Sequence, residues 1–182
     1  MNYLLKYVLI ALIYFFSAVA LFGQSKYHSL SIGAGPAFTG SGDIWGIHSG
    51  FNYEMQVSKR WAWNTGYRIN LFRTYFLFNN QSIPFYTDYC HNIGANLVFY
   101  PLHKESFRIA LTGGIVGHWW HRTYAREEEI HHPDFVALGY EIGPRFDWIC
   151  KHSWIISLSA LAQNDLEENP IGSIQFSLGK RW

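Results

Sequence analysis

Charge is scarce in this chain. Only 15% of its 182 residues are Asp, Glu, Lys or Arg, against about 25% in ordinary water-soluble domains, so ionised groups are too few to cover a soluble surface of this size. What charge there is nearly cancels, with 14 Lys and Arg against 13 Asp and Glu. That balance offers no basic face to a phosphate backbone and excludes nucleic acid as a partner. The 2 cysteines, Cys90 and Cys150, are too few for a disulfide framework. The strand order derived below sets them toward opposite ends of the fold, so they are expected not to pair. Beyond the N-terminal segment no run of about 18 consecutive apolar residues occurs, which excludes a membrane-spanning helix. Aromatic side chains, in contrast, make up 19% of the chain. Such a surplus beside a charge deficit belongs to a protein whose outside meets hydrocarbon or a large apolar partner.

The N-terminal segment has its own character. Lys6 precedes the apolar run Tyr7 to Phe16, and small residues follow at Ala18-Val19-Ala20, the n-region, h-region and cleavage pattern of a secretory signal. Residues 1–23 therefore read as a cleaved signal peptide, with cleavage after Ala20 or Gly23, and residues 24–182 as one domain. A single membrane anchor is the competing reading, opposed by Ser17 within the run and Gly23-Gln24-Ser25 at its end.

From Tyr27 onward, segments of about ten to fourteen residues alternate apolar and polar with period two and are separated by turn chemistry, which specifies strands and not helices. The first runs from Tyr27 to Thr39 and turns at Gly40 to Asp43. The second, Ile44 to Val57, sends Trp45, Ile47, Phe51 and Tyr53 to one face and His48, Asn52, Glu54 and Gln56 to the other. The third starts at Trp61, with Arg68 among its polar set, and runs to a loop around Phe76 to Pro84. The fourth is Phe85 to Tyr100, with Asp88, Asn92 and Asn96 on the polar face. The fifth, Phe107 to Tyr124, opposes Ile109, Leu111, Ile115 and Trp119 to Arg108, Thr112, His118 and Arg122. The sixth, Phe135 to Trp148, opposes Val136, Leu138, Tyr140 and Ile142 to Glu141, Arg145 and Asp147. Trp154 to Gln163 and Ile171 to Trp182 complete the set.

Eight strands is an even number, so both ends of the mature chain fall on one side. The connections at Ser58-Lys59-Arg60, Leu102 to Ser106 and Ile149 to Ser153 are short and read as periplasmic, whereas 76–84, 124–134 and 164–170 read as outer loops. Trp61, Trp63, Phe99, Phe107, Trp148, Trp154 and Trp182 fall near periplasmic strand ends, and Trp45, Tyr75, Phe85 and Trp119 near outer ends, where interfacial girdles lie. The expected fold is all-β: an eight-stranded antiparallel up-and-down transmembrane β-barrel. A soluble sandwich or lipocalin-like barrel would leave the rows of outward Trp, Phe and Ile in water.

The closing strand Ser173-Ile174-Gln175-Phe176-Ser177-Leu178-Gly179-Lys180-Arg181-Trp182, with the leader and alternating strands, resembles the OmpA and OmpX type of small outer-membrane barrel. The opening Ser31-Ile32-Gly33-Ala34-Gly35-Pro36-Ala37-Phe38 is similar to first strands of Bacteroidetes-type outer-membrane barrel domains. The resemblance implies an outer-membrane location, contact with membrane lipid and lipopolysaccharide, and recognition of Phe176, Leu178 and Trp182 by the barrel-assembly machinery. It brings no catalytic residues with it.

The polar faces gather His48, Glu54, Arg68, Asp88, Arg108, His118, Arg122, Glu141, Arg145 and Asp147 in the lumen. Both signs are present, so ion pairs can satisfy them in a space too narrow for bulk water, and a structural network is the favoured reading over a proton or ion path. In the third outer loop, Glu127, Glu128, Glu129, His131, His132 and Asp134 form a candidate binding group. Their spacing matches no established metal site, so neither metal nor cofactor is expected. Acids otherwise collect in the outer connections, while Lys59, Arg60, Lys104, Lys151, Lys180 and Arg181 fall at the periplasmic end.

These features favour a non-enzymatic envelope barrel, structural or binding other envelope proteins. The alternative is a lipid A-modifying deacylase or acyltransferase, for which His121 and Thr123 near the outer interface are the nearest to a catalytic set. The third reading is a metal- or ligand-binding surface protein.

Overall fold

The computed structural model describes residues 27–39, 44–74, 77–78, 81–82, 86–126, 129–131, 134–165 and 170–182. The period-two alternation becomes eight long strands: β1 Tyr27–Thr39, β2 Ile44–Gln56, β3 Trp61–Thr74, β4 Tyr86–His103, β5 Phe107–Arg126, β6 Asp134–Ile149, β7 Trp154–Asp165 and β8 Pro170–Arg181. Each pairs antiparallel with its neighbours in sequence, and β1 pairs with β8, so the sheet closes on itself without a free edge. Closure is required in hydrocarbon, where no water satisfies an unpaired peptide group. The seam continues past the last strand, since His28 and Trp182 exchange backbone hydrogen bonds of 3.0 Å in both directions. Both ends of the described chain therefore lie at one rim, here called proximal; the opposite rim is distal.

Side chains divide between wall and lumen as the alternation demands. Ile32, Trp45, Ile47, Ile93, Ile115, Val136, Ile142 and Phe176 stand exposed on the wall. Their strand neighbours Asn92, Asn96, Thr112, Glu141 and Ser177 are buried. Tilted aromatic pairs frame the proximal rim, with ring centroids 4.8 Å apart for Trp61 and Phe99 and 6.0 Å for Phe107 and Trp148. Phe38 and Trp45 pair toward the distal rim at 5.7 Å. Tyr75 and Phe85 lie outside the described residues.

The structure moves several boundaries. β4 does not end at Tyr100 but continues to His103, and the register shifts between Phe99 and Leu102. Pro101 lies in that stretch; a residue with no N–H cannot donate to a ladder, and a bulge is where a strand tolerates one. The 124–134 stretch is not all loop, since Tyr124 to Arg126 pair with Glu129 to His131. Within 76–84, Leu77–Phe78 pair with Gln81–Ser82. In both places a hairpin ladder satisfies peptide groups that an irregular loop would leave to solvent. Cys90 is buried and Cys150 exposed, and no disulfide joins them.

Two ladders carry a break at the same height. Pairing of β1 with β8 stops at Ala34 and Phe176 and resumes at Ala37 and Ser173, skipping Gly35-Pro36. Pairing of β6 with β7 likewise skips Gly143-Pro144. Between them the β7–β8 ladder runs unbroken from Trp154 to Asn164.

An outward position midway along an apolar strand should reject charge. Ile115→Arg is expected to destabilise the lipid-reconstituted protein by about 2–4 kcal/mol in a denaturant titration. A cost near zero would place that face in water.

Candidate functional site

The lumen is stacked in three layers, each built from inward positions of several strands. Nearest the proximal rim, Arg145 on β6 donates from Nη2 to Glu54 Oε2 at 2.6 Å and to the Tyr100 hydroxyl at 2.7 Å. Tyr100 in turn donates to the other Glu54 oxygen. Asp147, two residues along the same face, accepts from Arg145 at 3.2 Å and lies 3.1 Å from Arg108 Nη2. The Arg108 guanidinium also sits over the Tyr100 ring, 4.9 Å from its centroid, an attraction that strengthens out of water.

The middle layer centres on Glu141. Its carboxylate receives Arg68 Nη2 and Gln163 Nε2, each at 2.5 Å, and Asn96 on the other oxygen. Asn92 donates to Gln163 at 3.1 Å, and its own carbonyl oxygen lies 3.0 Å from His118 Nδ1. Three donors from three other strands thus converge on one buried carboxylate.

The distal layer holds an apolar cluster beside polar groups. Phe72 and Trp120 stack at 6.1 Å, Phe135 stacks on the far side of Trp120 at 6.0 Å, and Ala37, Cys90 and Ile171 complete a buried cluster. His48 and Asp88 are buried at 2% and 0% exposure. Asp88 stands in register with Arg122, whose side chain lies outside the described residues.

Little space remains between these layers. The cavities inside measure about 40 and 20 Å³, room for a few isolated waters at most. At the proximal mouth a bowl of about 740 Å³ opens to solvent, lined by Gln56, His103 and the cations Lys59, Lys104 and Arg181.

Of the distal binding group, Glu127, Glu128 and His132 lie outside the described residues, as do the side chains of Glu129 and His131; so does the side chain of Thr123, which the enzymatic alternative paired with His121. Asp134 is described. It opens β6 on the outward face, in register with His121 of β5, and its carboxylate is 2.5 Å from His121 Nδ1. Among the described residues no three His, Cys, Asp or Glu side chains converge as metal ligands would. Phe176 and Leu178 face outward on β8, and Trp182 stands exposed at the proximal rim.

Sequence reading placed the polar neutral residues such as Asn92 and Asn96 inside but missed the aromatic members of the lumen: Phe72, Tyr100 and Trp120 each occupy an inward position of the same alternation. Nor did it foresee the His121–Asp134 pair, which depends on the β5–β6 register.

No protein-family model and no curated protein matches the chain. Among solved structures it is similar to Ail, the attachment invasion locus protein of Yersinia pestis, at TM-score 0.58 and 14% identity, covering 86% of this chain and 98% of that one. Ail has also been solved with the heparin analogue sucrose octasulfate. The N-terminal β-barrel domain of Pseudomonas aeruginosa OprF aligns with TM-score 0.58 at 10% identity, covering 85% of this chain and 97% of that one. The outer-membrane protein OprG of Pseudomonas aeruginosa aligns at 0.57 and 10%, covering 85% and 95%. The fold is that of the OmpA and OmpX type of small outer-membrane barrel. At such identities the likeness is one of architecture, and what an OmpX-type barrel does is decided by its own side chains.

The central pair gives a direct test of the lumen. Glu141→Ala leaves the Arg68 guanidinium buried without its acid and is expected to cost about 3–5 kcal/mol in equilibrium unfolding from lipid. Replacing both, Arg68→Met with Glu141→Leu, should cost much less. A loss in the double variant equal to the sum of the Arg68→Met and Glu141→Leu losses would show that the two side chains are not energetically coupled.

Proposed function

We propose that this protein is a non-conducting, non-enzymatic barrel of the outer membrane, acting through its outward wall and distal connections as a structural or partner-binding element of the envelope. The observation that carries this reading is the filled lumen. Among the described residues, three arginines and three carboxylates neutralise one another in its proximal and middle layers, and the Phe72–Trp120 cluster packs part of the distal layer. Eight strands enclose only enough space for their own side chains. A buried ion path needs mobile water and changes of partner, and a carboxylate held by three donors favours neither.

Orientation belongs to the same reading. The proximal rim faces the periplasm, where its three short connections and its cations Lys59, Lys104 and Arg181 meet inner-leaflet phosphates; the longer connections face outward. Residues 1–23 act as the export signal. Phe176, Leu178 and Trp182 on the last strand present outward side chains to the barrel-assembly machinery. Partners are membrane lipid, lipopolysaccharide and other envelope proteins.

Two measurements test the proposal together. In outer-membrane fractions the unboiled protein should migrate differently from the boiled form, and the purified barrel in a planar lipid bilayer should give no stable conductance steps. Reproducible steps, abolished by denaturation, would overturn the non-conducting reading. An unshifted protein in the soluble fraction would overturn the membrane location.

A further inference from the structure

We propose that the distal part of the β7–β8 hairpin, residues 161–164 and 170–173, is a shutter in the barrel wall: it swings out as a unit about the Ala160–Ile174 pair and uncovers the middle layer around Glu141 from the side, while the rest of the barrel stays closed. The argument begins with the ladder breaks on its two flanks. β6 offers it Gly143-Pro144 and β1 offers it Gly35-Pro36, and pairing is interrupted at both. Neither proline has an N–H to donate. Both glycines admit a carbonyl where a side chain would stand: a Cβ at Gly143 would lie 1.9 Å from the Ala160 carbonyl oxygen, and one at Gly35 1.9 Å from that of Ile174. Ala160 and Ile174 are themselves partners in the unbroken β7–β8 ladder, so the two breaks meet the hairpin on one line. Beyond that line the hairpin pairs with β6 from Ala162 to Asp165 and with β1 from Ile171 to Ser173. By contrast, the ladders joining β1 to β2, β2 to β3, β3 to β4 and β5 to β6 run without interruption.

The wall is thin along the same line. Leu161 holds an inward position between the buried Ser159 and Gln163, yet it lines both the inner cavity of about 40 Å³ and an outward groove of about 470 Å³. Gln163 and Ser173, buried and inward, line that groove too. Leu161 thus stands between the middle of the lumen and the outer face of the wall.

Side-chain ties hold the shutter closed. Gln163 donates to Glu141 at 2.5 Å and accepts from Asn92 at 3.1 Å. On the other flank Thr39 Oγ1 donates to the Pro170 carbonyl oxygen at 2.8 Å. Hydrogen bonds of this kind are individually modest in net terms, and a segment held by few of them opens well before the whole fold does. Swinging β7 away from β6 takes Gln163 from Glu141, which leaves that carboxylate with Arg68 and Asn96 and open to the side. The inference rests on the closed barrel and its register, not on which rim faces outward or on what the barrel binds.

The test is amide hydrogen exchange of the full barrel in lipid nanodiscs, read residue by residue by NMR. A unit that swings breaks its flanking hydrogen bonds and keeps its internal ones, whereas simple fraying loses both. Expected is that, among residues 161–164 and 171–173, amides bonded to β6 and β1 exchange about tenfold faster than those bonded across the hairpin, and about tenfold faster than Gly46 and Phe72, which lie one step beyond the same line on an unbroken ladder. Pro36→Ala combined with Pro144→Ala returns an N–H to each flank and should slow the flanking exchange about threefold. Gln163→Ala cuts the tie to Glu141 and should quicken it about threefold, with the internal amides unchanged. Equal exchange of flanking and internal amides, flanking exchange no faster than at Gly46 and Phe72, or rates that the proline substitutions leave unmoved overturns the proposal. Heat-dependent mobility shows which variants fold; if the proline pair does not, Gln163→Ala decides, and unmoved flanking exchange there overturns the proposal as well. A folded barrel without this exchange pattern sinks the shutter alone, and failure of the parent protein to form a membrane barrel sinks the reading beneath it.

Discussion

A strand in hydrocarbon has no water to satisfy its peptide groups, and the hydrogen bonds between β1 and β8 are what turn eight such strands into something a membrane can hold. Every other feature is subordinate to that closure. The seam joins β1 to β8, and a one-residue slip in any of the ladders would turn arginines to lipid and isoleucines inward. His28 and Trp182 extend the seam by two further hydrogen bonds at the rim. The Gly35-Pro36 step interrupts it, matched by Gly143-Pro144 on the opposite flank of the β7–β8 hairpin. The hairpin itself is continuous, which keeps the two interrupted ladders from coinciding on one strand pair.

Closing with eight strands fixes the width of the lumen, and width decides its chemistry. An interior without bulk water cannot hold Arg68, Arg108 and Arg145 unless acids meet them, and the acids stand on other strands: Glu54 on β2, Glu141 and Asp147 on β6. Each inter-strand ion pair is therefore also a statement about shear, because only one stagger of the barrel brings Arg68 level with Glu141. The neutral groups Tyr100, Asn96 and Gln163 take up the carboxylate lone pairs that the guanidiniums leave. Specification of register is the role we assign to this network, with net stability a lesser matter.

The two halves of this structure were unequally legible in the sequence. Period-two alternation decides which side of a strand a residue occupies, so the inward set from His48 to Asp147 and the outward Trp and Ile rows follow from the order of residues alone. Turn chemistry located the connections to within a few residues. Alternation says nothing about height, however, and height decides who meets whom: that Arg145 would bridge Glu54 and Tyr100, or that Asp134 would meet His121, depends on the shear of the closed barrel. Trp120 escaped notice for a different reason. It stands between Trp119 and His121 in an aromatic run, and a tryptophan there reads as part of a girdle, although its even-numbered position puts it inside. The bulge at Phe99 to Leu102 was hidden because Pro101 reads as a strand terminator, when a bulge lets the strand pass it.

With the lumen filled and the edges closed, a barrel of this kind has only its rims and its wall left for function. Rims are free to vary, because a connection outside the hydrocarbon can satisfy its peptide groups with water. The wall is not free in that sense: each outward position must stay apolar near the middle of the membrane, and specificity can enter only where the band gives way to headgroups. His121 and Asp134 lie at such a place, one step beyond Trp119 and Val136 on their strands. A polar pair costs little there, whereas deeper in the wall outward polar groups turn to each other, as the Tyr67 hydroxyl and His91 Nδ1 do at 2.7 Å. Depth along the strand thus sets what an outward polar group costs, and among the described residues both outward pairs, Tyr67 with His91 and His121 with Asp134, meet across neighbouring strands.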